Sequence, residues 1–152
     1  MINLTNLDII DIILKAEHDL LNGVKIKFNR ERTWSSNFST SAGVYMLFDK
    51  EKVIYIGESA NLKERMKEIK RTINHTFRRK LGKHLFKNAQ LEKGKFNPEI
   101  EDVLNSYFLE NISVSAIEVL FGRTEIESNL IKKYEELDIL NSKSRRNATQ
   151  LI

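Results

Sequence analysis

The chain has 152 residues, 41% apolar and 30% charged, with a net charge of +4 and no cysteine. That length suits one domain, 1–152, with its own hydrophobic core. No apolar run nears the roughly 20 residues that span a bilayer, and the lack of cysteine excludes disulfides and thiolate metal sites and suits a cytoplasmic protein. The N-terminus lacks a basic stretch followed by an apolar block, so no signal peptide is expected. Charge is unevenly spread: Leu62 to Lys95 holds twelve Lys or Arg against three acidic residues, which leaves the rest of the chain at −5. Such asymmetry fits a polyanion-binding face, or a solvated helical surface.

In chain order, Leu4 to Asn22 reads as a helix capped by Thr5 or Asn6 and stopped at Asn22-Gly23, with a wide apolar arc. A polar, Ser-rich connection follows from Gly23 to Ala42, with Trp34 in its middle and room for a short strand over Val24 to Phe28. Val44 to Phe48 and Val53 to Ile56 form a hairpin around Asp49-Lys50-Glu51-Lys52. Ser59 is placed to cap a helix running to about Ile73, and a basic helix is expected from about Thr76 to Lys93. Pro98 suits the first turn of a helix ending near Asn111. Ser113 to Phe121 reads as a third strand, Gly122 breaks it, and Thr124 to Leu137 is the last helix.

Three features break the pattern. On a wheel of about 100° per residue, Glu127 falls inside the apolar arc of the last helix. A carboxylate there must be salt-bridged at the mouth of the core, hydrogen-bonded, or bound to a metal. Arg65 borders the apolar stripe of its own helix, where it either snorkels or reaches inward. Tyr45 and Tyr55 either simply pack or share a site. Sharing requires one face of the hairpin, hence paired residue numbers that sum to an even value, such as Tyr45 opposite Tyr55. That register closes a loop of about three residues.

Gly43-Val44-Tyr45, nine residues, Tyr55-Ile56-Gly57, and Ser59 to Arg65 together resemble the core of the GIY-YIG nuclease family. Glu127 to Tyr134 with Asn141 beyond resembles the family's C-terminal element, especially that of the nuclease domain of the bacterial excision-repair incision subunit. His75 to Gly82 is similar to a motif of small stand-alone members, and the whole resemblance covers about 42–141, leaving helix 4–22 as an extension. Val44 stands where the first motif often has Ile.

The resemblance implies an α/β fold, a small antiparallel three-stranded sheet flanked by helices. It implies DNA endonuclease activity with one divalent ion, Mg²⁺ or Mn²⁺. Tyr45, Tyr55, Arg65 and Glu127 match its active-site positions, with Glu127 as metal ligand, Asn141 as a supporting residue, and His75 as a residue near the site. In that chemistry Glu127 suits a hard cation, Arg65 offers a planar fork of donors to phosphate oxygens, and Tyr45 is the general base. A phenol pKa of about 10 must then be lowered, or its proton relayed to His75; His75 could equally contact the DNA backbone. Lys67, Lys70, Arg71, Arg78, Arg79, Lys80, Lys83 and Lys87 would neutralise DNA phosphates. The same core serves restriction, repair, defence or mobile-element nucleases, and an inactive nucleic-acid-binding module is the alternative reading. A lone site cuts one strand at a time, so double-strand cleavage calls for a homodimer or two successive events.

Overall fold

Thr5 opens the first helix, α1 (Asn6–Asn22), through a capping box with Asp8, and the Gly23 N–H closes it onto the Asp19 carbonyl. The computed structural model describes residues 5–141 and residue 152; Leu4, the expected first helical residue, lies outside them. Ile13, Ala16 and Leu20 make the buried stripe of α1, while Leu7 is exposed. None of the helices among the described residues is long and apolar enough to cross a membrane.

A four-stranded antiparallel sheet follows, in the order β1-β4-β2-β3. Its strands are β1 (Ile26–Lys27), β2 (Gly43–Asp49), β3 (Lys52–Ser59) and β4 (Ile112–Glu118). The sheet therefore has one strand more than the three expected. β1 is only two residues long and pairs Ile26 with Val114. It is held there from the side: Phe28 and Trp34 are buried and meet edge to face at 5.0 Å, and Phe28 also packs at 5.2 Å on Phe108. The Trp34 Nε1–H donates to the Lys27 carbonyl at 2.9 Å, which satisfies the indole while fixing the strand.

The remaining helices are α2 (Leu62–Glu68), α3 (Thr76–Leu85), α4 (Pro98–Asn111) and α5 (Arg123–Tyr134), with short 3₁₀ turns at Trp34–Asn37 and Glu135–Leu137. Strand alternation divides the core into two layers. Val44, Met46, Phe48 and Ile56 pack with residues of α1 and α5, whereas Tyr45, Leu47 and Tyr55 pack with Leu62, Met66, Phe77, Leu81 and Phe108 on the other side. α1 is fastened to α5 by Glu17, which accepts from the Tyr134 hydroxyl at 2.8 Å and from Lys133 Nζ at 2.7 Å.

Several boundaries differ from the sequence reading, each for a local reason. β3 runs through Ser59, so the cap of α2 is Asn61, whose side chain accepts from the Glu64 N–H at 3.1 Å. α2 ends at Glu68 rather than near Ile73. α3 ends at Leu85 rather than near Lys93, because Phe86 leaves helical geometry (φ −127°, ψ 89°). α5 tightens into a 3₁₀ turn after Tyr134, and Leu137 is 57% exposed instead of core-facing.

The hairpin contains the feature that positions the site. Tyr45 pairs with Gly57 and Leu47 with Tyr55, an even register, but Phe48 pairs with Val53, an odd one. Ile54 is the extra residue between them, a β-bulge. Its effect shows in the packing: Ile54 and Tyr55, neighbours in sequence, both join the layer below the sheet, while Val53 and Ile56 join the layer above. The turn itself is the two residues Lys50 and Glu51, with Lys50 at φ 56°, not the three-residue loop that the even register alone would need.

Candidate active site

The bulge lets Tyr45 and Tyr55 share a face while the turn stays tight. Their rings stack with centroids 6.4 Å apart and an interplanar angle of 29°. Gly57 lies opposite Tyr45, and any Cβ there would collide with the Tyr45 ring carbon Cζ and its hydroxyl. Gly43 is similarly fixed by the Ile117 carbonyl and the Leu62 side chain. Both motif glycines thus serve close approach rather than unusual backbone angles.

Arg65 reaches Tyr45 from α2. Its Nε–H donates to the Tyr45 hydroxyl oxygen at 3.4 Å, and its Nη1 is held by Glu68 at 2.7 Å and by the Asn74 carbonyl at 3.2 Å. Nη2 takes no hydrogen-bond partner among the described residues, which leaves donors on the fork for an acceptor. The Arg65 side chain keeps 23% of its surface exposed. Glu68 was not a sequence candidate, although its position three residues after Arg65 is a readable helix-pair signal.

His75 is fully buried and caps α3, its Nδ1 accepting from the Phe77 N–H at 3.1 Å. That bond assigns the proton of the neutral ring to Nε2, which lies 3.2 Å from the Tyr45 hydroxyl. His75 therefore donates to Tyr45 and does not offer it a lone pair. Burial, then the charges of Arg65 and Arg79, push the His75 pKa well below the usual histidine value. A relay of the phenol proton to His75, one of the roles expected for it, needs a free Nε2 lone pair and does not fit this arrangement.

Tyr45 in turn accepts two N–H groups, from His75 and Arg65, an arrangement suited to a phenolate. Even so its pKa is raised, by burial first and by the nearby Tyr55 and Glu127, with Arg65 pulling the other way. Burial raises Tyr55 as well, with Glu127 adding to it and Arg65 and Arg79 opposing. Glu127 comes from α5 and is half-buried between Ile126 and Ser128, which are buried. Its charge acts on both phenols, which brings it into the same cluster electrostatically. Asn141 reaches the open edge of β3, where its side-chain amide makes both a donor and an acceptor bond to the backbone of Ile56, at 2.7 and 2.9 Å. Beside it the Leu140 N–H donates to the Ile54 carbonyl at 2.8 Å, so residues 140 and 141 hold the strand on either side of Tyr55.

The expected phosphate-binding cations are dispersed. Arg71, Lys83 and Lys87 are exposed, and Lys67 is exposed but paired with Glu64 at 2.5 Å. Lys70 donates to the Glu31 carbonyl at 2.7 Å, and Lys80 is half-buried. Arg79 bonds the carbonyls of Thr72 and Ile73 at 3.0 and 2.9 Å, and its charge acts on Tyr55 and His75, so it belongs with the site rather than the outer face. Arg78 is 1% exposed and paired with Glu101 at 2.8 Å, so it does not stand on an open face with Arg71, Lys83 and Lys87.

A family model for the GIY-YIG catalytic domain matches residues 16–151, nearly the whole chain. The chain belongs to the GIY-YIG family. The match begins inside α1, ahead of the motif-bearing stretch 42–141, in keeping with the α1–α5 contact that Glu17 makes. No curated protein and no solved structure gives a match. GIY-YIG domains are endonuclease domains and generally depend on a divalent metal. Among the described residues no three His, Cys, Asp or Glu side chains gather as a metal cage. A half-buried single carboxylate still fits a hard, oxygen-preferring cation whose other positions are filled by water and phosphate oxygens.

A testable consequence concerns His75. Its folded pKa is depressed, so its contribution to stability is fully present above the unfolded value of about 6.5 and is lost as pH falls towards and through the folded value. Wild-type stability should fall below about pH 6.5 by at most about 1.4 kcal/mol per pH unit from this group. His75→Asn keeps a capping side chain and removes the titration. Denaturant unfolding of both proteins from pH 7.5 to pH 5 should show a shallower acid slope in the variant.

Proposed function

We propose that this protein is a DNA endonuclease that hydrolyses phosphodiester bonds at the Tyr45–Tyr55–Arg65–Glu127 centre. The convergence of two phenols, a guanidinium and a histidine within hydrogen-bond or ring contact, with Glu127 acting on both phenols, carries this reading.

Glu127 would hold the divalent cation, Mg²⁺ or Mn²⁺. When bound, that cation supplies Lewis-acid relief of the charge that develops on the phosphate and the departing oxygen. Arg65 presents its remaining donors to a non-bridging oxygen while Glu68 and Asn74 hold its Nη1. Tyr45 takes the proton from the attacking water. It does so as the phenolate, after its own proton has gone to solvent, and the transfer from water returns it to the phenol; His75 Nε2–H and Arg65 Nε–H donate to the phenolate oxygen from positions set before substrate arrives. Glu127 opposes that ionisation, so neutralising its charge removes one of the influences that keep Tyr45 protonated. Tyr55 orients the water or phosphate from the neighbouring position on the same face, and Asn141 anchors the backbone of β3 beside it. Exposed Arg71, Lys83 and Lys87 give sequence-independent attraction to the DNA backbone.

Incubating supercoiled plasmid with the protein and Mg²⁺, beside a Glu127→Ala control, tests the reading. Nicking by the wild type alone supports it. Nicking by neither, with DNA still bound, favours a binding module that does not cut.

A further inference from the structure

A cavity of about 520 Å³ is walled in part by segment 72–74. Arg30, Lys70, Arg71, Arg78 and Lys95 line it, with Glu101 as the one acidic residue. The cavity and the Tyr45 centre share a wall. The Asn74 carbonyl accepts from Arg65, the Thr72 and Ile73 carbonyls accept from Arg79, and all three residues line the cavity.

We propose that this cavity is a second anion site that binds a phosphate group. Arg78 is the central observation. It is 1% exposed, stacked 5.2 Å over Phe108, and anchored through Nε to Thr72 at 3.0 Å and through Nη2 to Glu101 and Asn105, both at 2.8 Å. Its Nη1 is the one buried side-chain nitrogen or oxygen among the described residues with no hydrogen-bond partner. Folded proteins seldom leave such a donor unsatisfied unless a ligand or water completes it.

The surroundings point to an anion. Arg30, Arg71 and Lys95 are exposed at the rim and have no carboxylate partner among the described residues. Burial first, and then the charge of Arg30, depress the pKa of Lys70; burial and, less strongly, Arg30 also lower that of Arg78, against the opposing pull of Glu101. Five cations thus crowd one carboxylate, and a phosphate would relieve their repulsion while offering acceptor oxygens to the rim. The phosphate comes either from a nucleic-acid strand or from a free nucleotide or phosphate ion. The strand source rests on the nuclease reading; the pocket itself does not.

The test is titration calorimetry of the full chain in EDTA, so that binding is measured apart from cleavage. The probes are inorganic phosphate, dAMP and a short DNA duplex. The variants are Arg30→Glu and Lys95→Glu at the exposed rim, with Lys132→Glu on α5 as an equal change of charge elsewhere. At least one probe should bind the wild type and lose tenfold or more in affinity in both rim variants, with at most a twofold loss in Lys132→Glu. Binding of phosphate or dAMP identifies a free ligand, and binding of duplex alone identifies the strand. If no probe binds, or if Lys132→Glu weakens binding as much as the rim variants do, the proposal fails. Phosphate binding by a protein that never nicks DNA would keep the pocket and sink the nuclease reading.

Discussion

Glu127→Gln should reduce DNA cleavage by about 10³-fold or more while leaving the fold and DNA binding intact, since a metal-assisted phosphate centre loses its principal charge stabilisation with its ligand. The direction is informative because two effects compete. Glu127 raises the pKa of Tyr45 and Tyr55, so removing its charge makes both phenols easier to ionise. If phenol ionisation alone limited the rate, the variant would be faster. A steep loss instead means that the carboxylate's attraction for a cation outweighs its opposition to the base. Single-turnover rates on a labelled duplex, with a gel-shift measurement in parallel, separate the two. The half-buried position of Glu127 makes the amide an acceptable isostere for folding.

Tyr45→Phe is expected to lower the rate by about 10²- to 10⁴-fold, the usual range for removal of a general base. The pH profile carries the sharper signature. Burial keeps Tyr45 protonated through neutral pH, so the wild-type rate should climb as pH rises from about 6 to about 8, where the phenolate fraction increases tenfold per unit. The phenylalanine variant should lose that slope. It should also lose stability, by about 1–3 kcal/mol, because the buried Nε2–H of His75 is left without its acceptor. A variant as stable as the wild type would mean that His75 finds another partner. A variant with an unchanged pH slope would remove Tyr45 from the base role.

Parity set the condition for the two tyrosines to share a face, and the even register beside Tyr45 and Tyr55 meets it. How the chain combines that register with a two-residue turn was not readable. The answer is one extra residue, Ile54, and a bulge leaves no mark in a run as uniformly apolar as Val53 to Ile56. Pro98 marked the start of α4 and Thr5 the start of α1, because capping chemistry is local. The end of α2 was missed because apolar spacing continues to Ile73, whereas the backbone turns away after Glu68 to build segment 72–74; the end of α3 was missed because nothing in the sequence marks where Phe86 leaves helical geometry. That segment is where sequence reasoning was weakest. Arg78, Arg79 and Lys80 look alike in a basic run, yet one is buried on Glu101, one bonds loop carbonyls beside His75, and one is half-buried. The tautomer of His75 was not readable in the sequence, since it depends on a backbone N–H two residues ahead. Glu127 stood out because a charge on an apolar arc must be explained by something beyond packing.

The claim beneath all of this is that these side chains act as one centre on one phosphate. A double-mutant cycle of Tyr45→Phe and Arg65→Ala, read as single-turnover cleavage rates, tests it most directly. Arg65 donates to the Tyr45 hydroxyl, so each variant already breaks part of the other's work. The double variant should fall within about threefold of the slower single variant, because groups that act as a unit are strongly non-additive. Losses that multiply, with the double variant slower by the full product of the two, would place Tyr45 and Arg65 in separate roles and contradict the shared centre.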